Sequence, residues 1–351
     1  MDFMQRVAYA YCSEVEARER QSRYDIDPLE ATESTKLERR ELREHDPLKI
    51  IKKFNRSAAG EDMQSKYVSS RSNDELYSCA SYLQDLWNMN KNNASNTYGF
   101  IMDRIRAIRQ EIVIENITVD SYKVVNILDV IVTFYIQSWE DIIVLGSRNS
   151  AWFDEVLHQR ALSSCLASII SISDANVRYT SYIIYLNISH VLKQELVTNY
   201  TTDNKYCMRF STLSLYDFVK NYLYFTDSSV LNAIKCIITL QQGNIDGTVQ
   251  LLENESDKII RSLYFFQILP YLRLWRYLLI RNSINVKGEE LMVIEELARR
   301  LYMTKAAAEL ILSHSSLAVD VSTSTLSISE LNQIPAKDLL NSFLLLTSRG
   351  I

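Results

Sequence analysis

Along most of the chain the apolar positions recur with the period of an α-helix. In "YGFIMDRIRAIRQEI", Ile101, Ile105, Ile108 and Ile112 fall at i, i+4, i+7 and i+11 with Phe100 beside them, which makes one apolar stripe. The same spacing runs through "WFDEVLHQRALSSCLASII", "SYIIYLNISHVLKQEL", "LYDFVKNYLYF" and "VLNAIKCIITLQQG". Each stretch has the length of a helix, and short polar connectors separate them. From about Asp74 to Arg281 the pattern is helix after helix, and it predicts a mainly α fold of helical hairpins stacked as an α-solenoid of the TPR-like kind.

The pattern changes after Gly288. "EELMVIEELARRLYM" predicts a helix with Leu291, Ile294, Leu297 and Leu301 inward. "TKAAAELILSH" opens on Thr304, a good N-cap, and predicts a second short helix. In "SLAVDVSTSTLSIS", Leu317, Val319 and Val321 alternate, a Ser/Thr-rich turn follows, and Leu326 and Ile328 alternate again, the signature of a small β-hairpin. Helix, turn, helix and hairpin together make a winged helix. The expected organisation is therefore a charged N-terminal helical extension over 1–72, a helical-repeat domain over 73–286, a winged helix over 287–330 and a closing helix over 331–351.

Composition narrows the class. Seven glycines and four prolines in 351 residues agree with a helical chain, and a net charge of -5 confines any nucleic-acid surface to a local patch. Cys12, Cys79, Cys165, Cys207 and Cys236 are odd in number and far apart, which predicts reduced thiols rather than disulfides or a zinc site. The start of the chain has no signal-peptide run. The most apolar stretch, "VVNILDVIVTFYIQSWEDIIVL", is broken by Asn126, Asp129, Gln137, Glu140 and Asp141, so it predicts buried helices and no membrane span. These features together describe a soluble intracellular protein.

Catalytic signatures are missing from the sequence. His45, His158, His190 and His314 are scattered, and the chain has no HExxH, GxGxxG, Walker lysine loop or GxSxG. Acidic pairs such as Glu140–Asp141 and Glu289–Glu290 fit helix starts and solvated faces. No enzyme, cofactor or metal is expected. Three basic groups stand out: Lys49, Lys52, Lys53 and Arg56; Arg104, Arg106 and Arg109; and Arg273, Arg276, Arg281, Arg299, Arg300 and Lys305. The first two read equally as solvated helix faces or as phosphate contacts. The third surrounds the expected winged helix and reads as the nucleic-acid-binding group, although the wing itself carries Asp320 and no Lys or Arg. A winged helix used to pair with another protein fits that wing at least as well.

One motif orders these observations. "CSEVEARERQ", then "DPLKIIKKFNRSAAGED", then "YGFIMDRIRAIRQEI" resembles the ordered signature of the GANP family, in which "CPxxExxxRE" precedes a basic segment ending in RSAAG and then "FIxDRxRxIRQD". Ser13 and Glu14 stand where the family usually has Pro then Glu. The resemblance runs over most of residues 10–330. On the matching positions, Lys52, Lys53, Arg56, Ser57, Ala58, Ala59 and Gly60 fall in the RSAAG segment, and Asp103, Arg104, Arg106, Arg109 and Gln110 in the helix motif. Physically, Gly60 would end a helix in the left-handed conformation, and the arginines of the later helix would meet exposed carbonyls or Glu61 or Asp62. The motif reads as a packing joint, with Arg56 the best candidate for an exposed contact.

The resemblance implies a PCI-like module and a non-catalytic scaffold of the TREX-2 complex, which couples transcription to mRNA export at the nuclear pore. It implies a second PCI/winged-helix protein of the Thp/PCID type and a Sem/DSS-type acidic peptide as partners, with RNA bound on a joint platform in the nucleus. Phe-Gly repeats and the long helix that recruits a centrin-like subunit in larger members are not seen, so that subunit is not expected. Two other assignments remain open: a structural subunit of a proteasome-lid or initiation-factor assembly, and a GANP-like scaffold in splicing or at centrosomes.

Overall fold

A computed structural model describes residues 9–55, 71–114, 121–147, 150–172, 177–201, 227–287, 291–314, 325–327 and 343. It is mainly helical, as the periodicity predicts. Two compact units divide the chain, residues 1–138 and 139–351.

Unit 1 begins with α1, Glu14–Ser22, whose N-cap Ser13 accepts the Glu16 amide at 3.2 Å. The helix ends with Tyr24 at φ 55, and the amides of Tyr24 and Asp25 return to the carbonyls of Gln21 and Arg20. Asp27 caps a 3-10 turn over Pro28–Glu30, and a second such turn covers Arg40–Leu42. Isolated bridges join Ala31 to His45 and Tyr11 to Ile51, so the extension folds back along itself. Cys12, Ala17, Ile26, Ala31 and Ile50 form its small core, with Tyr9 against it.

Three longer helices follow. α2, Asn73–Met89, opens with a capping box between Ser72 and Glu75; α3 is Ala94–Ile114 and α4 is Ser121–Val144. Trp87 is fully buried and meets Phe134 edge-on at 5.9 Å. On α3 the predicted stripe is inside, with Ile101, Ile105 and Ile108 each at most 1% exposed. Among the described residues no helix is long and apolar enough to cross a membrane, in agreement with the polar interruptions of α4.

In unit 2, α5 (Glu155–Ile172) packs on α6 (Val177–Thr201), α6 on α7 (Ser228–Gln241), and α7 on α8 (Ile245–Glu253). This neighbour-on-neighbour order agrees with stacked helical hairpins. α9, Lys258–Leu263, continues through a π-helical turn over Tyr264–Ile268 into α10, Leu269–Lys287. Pro270 accounts for the wider turn: it has no N–H for the carbonyl four residues back, and its ring needs room there.

The C-terminal part departs from expectation at one place. Leu291–Val293, expected inside a helix, is strand β1, and α11 spans only Ile294–Arg300. β1 pairs antiparallel with β2, Thr325–Ser327, matching Leu291 to Ser327 and Val293 to Thr325. The pairing supplies backbone partners that local periodicity cannot register. α12, Lys305–His314, starts as predicted, with the Ala307 amide donating to Thr304 Oγ1 at 3.2 Å. Leu317, Val319 and Val321, the other arm of the expected hairpin, lie outside the described residues, as do Cys207, the 215–225 stripe and most of the closing helix. Of that last helix, Phe343 is fully buried and lines a small apolar cavity with Tyr277, Leu297 and Leu312.

Candidate functional site

The family-motif residues converge in unit 1 on two buried carboxylates. Glu16 and Arg20, four apart on α1, face inward together. The capped turn after Asp27 aims Glu30 at the same place, where it has no exposed surface. Arg20 donates from Nη1 and Nη2 to Glu30, the first at 3.2 Å, and also reaches the Ile51 carbonyl at 2.9 Å. From α3, Arg104 donates Nη2 to both Glu30 oxygens at 3.1 and 3.0 Å, and the Ile51 amide adds a bond of 3.0 Å. The Arg104 guanidinium lies over the Phe100 ring at 4.5 Å. Burial by itself lowers Arg20, but the neighbouring Glu30 carboxylate leaves it raised above its ordinary value.

The second carboxylate is Glu111. Arg71 grips it through Nη2 at 2.6 Å and Nε at 3.2 Å, and the Arg71 amide donates to it at 3.1 Å. Lys52 approaches at 3.4 Å. Burial by itself raises Glu111, but the Arg71 hydrogen bonds and charge hold it below the ordinary carboxylate range. Arg71 also donates to the Tyr11 carbonyl and to Cys79 Sγ, so this pair ties α2 and α3 to the extension.

The remaining motif residues are placed around this joint. The Lys53 amide donates to Glu16 at 2.9 Å and its Nζ to Asp25 at 2.8 Å. Asp103 accepts the Phe54 amide at 3.3 Å and Arg104 Nη1, and Gln110 Nε2 donates to the Asn55 carbonyl at 3.2 Å. Lys52, Lys53, Asp103, Arg104 and Gln110 are thus brought together; Arg106 is exposed and Arg109 half-buried. Arg56, Ser57, Ala58, Ala59, Gly60, Glu61 and Asp62 lie outside the described residues. The acids that Arg104 meets are Glu30 and Asp103. Sequence reasoning did not single out Arg20, Glu30, Arg71 or Glu111. The four-residue spacing of Glu16 and Arg20 was a signal. Glu30 had none, since it stands among many exposed acids.

The C-terminal basic group separates into inside and outside members. Arg299 is largely exposed, and Arg300 and Lys305 are about a third to a half exposed. Both arginines bond Glu296, at 2.7 and 2.6 Å, and their hydrogen bonds hold its carboxyl down to about 2. Two cations thus share one carboxylate, and Lys305 at the start of α12 faces Glu309 at 3.9 Å. Arg276 is half-buried and bonds Asp246 at 3.2 Å. Arg281 lies on α10, with its side chain outside the described residues. Arg273, expected on the nucleic-acid surface, is 4% exposed and donates Nη2 to the Tyr302 carbonyl at 2.8 Å. A guanidinium enclosed in this way cannot reach a phosphate, so Arg273 leaves the group. Along this stretch α10 is buried on all sides, Tyr271, Leu272, Leu274 and Trp275 included, so Arg273 has no solvent-facing direction to take.

No curated protein and no solved structure matches the chain. The family model described as SAC3/GANP family matches residues 11–321, which include both the ionic joint of unit 1 and the α11–α12 region. With that match over most of its length, and with the motif residues meeting in one buried joint, the chain belongs to the SAC3/GANP family.

Proposed function

We propose that the chain is a non-catalytic scaffold subunit of a nuclear mRNA-export complex of the TREX-2 kind. It pairs through a C-terminal winged helix with a second protein of like architecture, and with a Sem/DSS-type acidic peptide, to form a joint RNA platform. Family membership over residues 11–321 carries this reading, because the family is associated with mRNA export. The helical array of unit 2 and the strand–helix–helix–strand order of β1, α11, α12 and β2 support it.

In this reading Arg299, Arg300 and Lys305 are the phosphate contacts on this chain. They are the exposed members of the basic group among the described side chains, Arg299 and Arg300 sharing Glu296 and Lys305 facing Glu309. Such contacts act by releasing counterions from RNA, so their signature is salt dependence. Reversing all three to Glu in the assembled complex is expected to weaken RNA binding and to flatten the log–log salt slope by about 2, at roughly 0.7 per contact for single strands. Unchanged affinity and slope overturn the assignment. Recovery of proteasome-lid or initiation-factor subunits, instead of export factors, on affinity purification overturns the export reading itself.

A further inference from the structure

The turn between α11 and α12 is built around a residue that the geometry disfavours. The Tyr302 amide returns to the Arg299 carbonyl at 3.3 Å and the Met303 amide to the Ala298 carbonyl at 3.1 Å, the two bonds of a Schellman helix end. The left-handed position of that motif normally holds glycine, as Gly243 does after α7 at φ 70. Here Tyr302 occupies it at φ 55. Both ends of the tyrosine are held from the repeat: its carbonyl accepts Arg273 Nη2 from α10 at 2.8 Å, and its hydroxyl donates to Asp246 on α8. Arg276 bonds the same Asp246 carboxylate.

Arg273 is a costly choice for one such bond. It is 4% exposed, its Nε and Nη1 meet no acceptor among the described residues, and burial pushes its guanidinium down to about 10. A buried cation without a facing acid among the described residues adds little to stability, which leaves the geometry it holds as its contribution. We propose that Arg273, Asp246 and Arg276 form a clamp on Tyr302 that sets the direction in which α12 leaves the helical repeat. Arg273 and Asp246 are positioning residues: they orient the start of α12, where Lys305 stands, without touching a ligand. The consequence for RNA rests on the export reading; the clamp itself does not.

Amide hydrogen exchange on the full chain tests the clamp directly. In Arg273→Met and in Tyr302→Phe, exchange over residues 302–308 is expected to rise about tenfold, the factor carried by one lost charge-assisted hydrogen bond. Arg273→Lys, which keeps a donor, should restore slow exchange. The melting temperature of Arg273→Met should stay level or rise, because the variant discards a buried cation. Unchanged exchange in both Arg273→Met and Tyr302→Phe overturns the clamp, and Tyr302→Phe decides alone should Arg273→Met fail to fold. In the assembled complex, with a fluorescent single-stranded RNA of mixed sequence, Arg273→Met should lose affinity at an unchanged salt slope. A slope reduced by about 0.7 would make Arg273 a phosphate contact and overturn its positioning role. Wild-type complex without RNA affinity would sink the export reading, while the exchange result still decides the clamp.

Discussion

Tyr24 and Tyr302 occupy the same strained place in two helix ends, at φ 55 each, yet among the described residues only Tyr302 has its hydroxyl bonded to another helix. Tyr24 is 52% exposed. Tyr24→Gly is therefore expected to stabilise the protein by about 1 kcal/mol through relief of the left-handed conformation, read as a higher denaturation midpoint. Glu111 allows a pH test. Its folded pKa lies below the ordinary 4.5, so it adds stability above that value and loses it as pH falls through the folded pKa. The stability gap between wild type and Glu111→Gln should be full at neutral pH and shrink as pH falls below 4.5 and through the lowered folded pKa, read in urea titrations. Glu16 and Asp27, raised chiefly by burial, work in the opposite sense, which is why the difference between the two proteins is the useful quantity.

At the scale of elements, the helix start at Thr304 was legible, and two further caps of the same kind emerge from the structure. Ser72, Thr304 and Asn244 cap helices as their residue types require. Around Asn244 the local sequence is tightly constrained: its side chain accepts the Gly247 amide at 2.9 Å, and a Cβ on Gly247 would come within 2.7 Å of Asn244 Nδ2. Gly247→Ala should dislodge that cap and lower stability by about 1 kcal/mol despite alanine's better helix propensity, measurable by thermal denaturation. The short strand β1 was not legible. Leu291–Val293 continues the apolar spacing of α11, and only pairing with residues more than thirty positions later makes it extended.

For the whole molecule, the ionic joint and the exposed basic residues belong to different units, residues 1–138 and 139–351. Glu30→Gln strands two buried guanidinium groups around a neutral amide and should destabilise unit 1 by about 3–5 kcal/mol, seen as a lowered unfolding transition. Below that transition, RNA affinity of the assembled complex should stay at the wild-type value, because Glu30 shares no partner with Arg299, Arg300 or Lys305. A matching loss of RNA binding would mean that the joint contributes to the platform directly.

The helical class, the inward stripe of α3 and the Thr304 cap were readable from residue order because each depends on neighbours within a few positions, and the family motif because its three segments come in a fixed order. Tertiary structure alone decided which charges are buried. Arg273 and Arg299 are both arginines in basic surroundings, yet one lies on a stretch of α10 that is buried on all sides and the other stands in solvent. Glu30 likewise becomes the centre of a joint only when α1 and α3 bring Arg20 and Arg104 to it from 10 and 74 residues away. A carboxylate or guanidinium carries the same charge in any sequence context; its desolvation, and hence its role, is set by what folds around it.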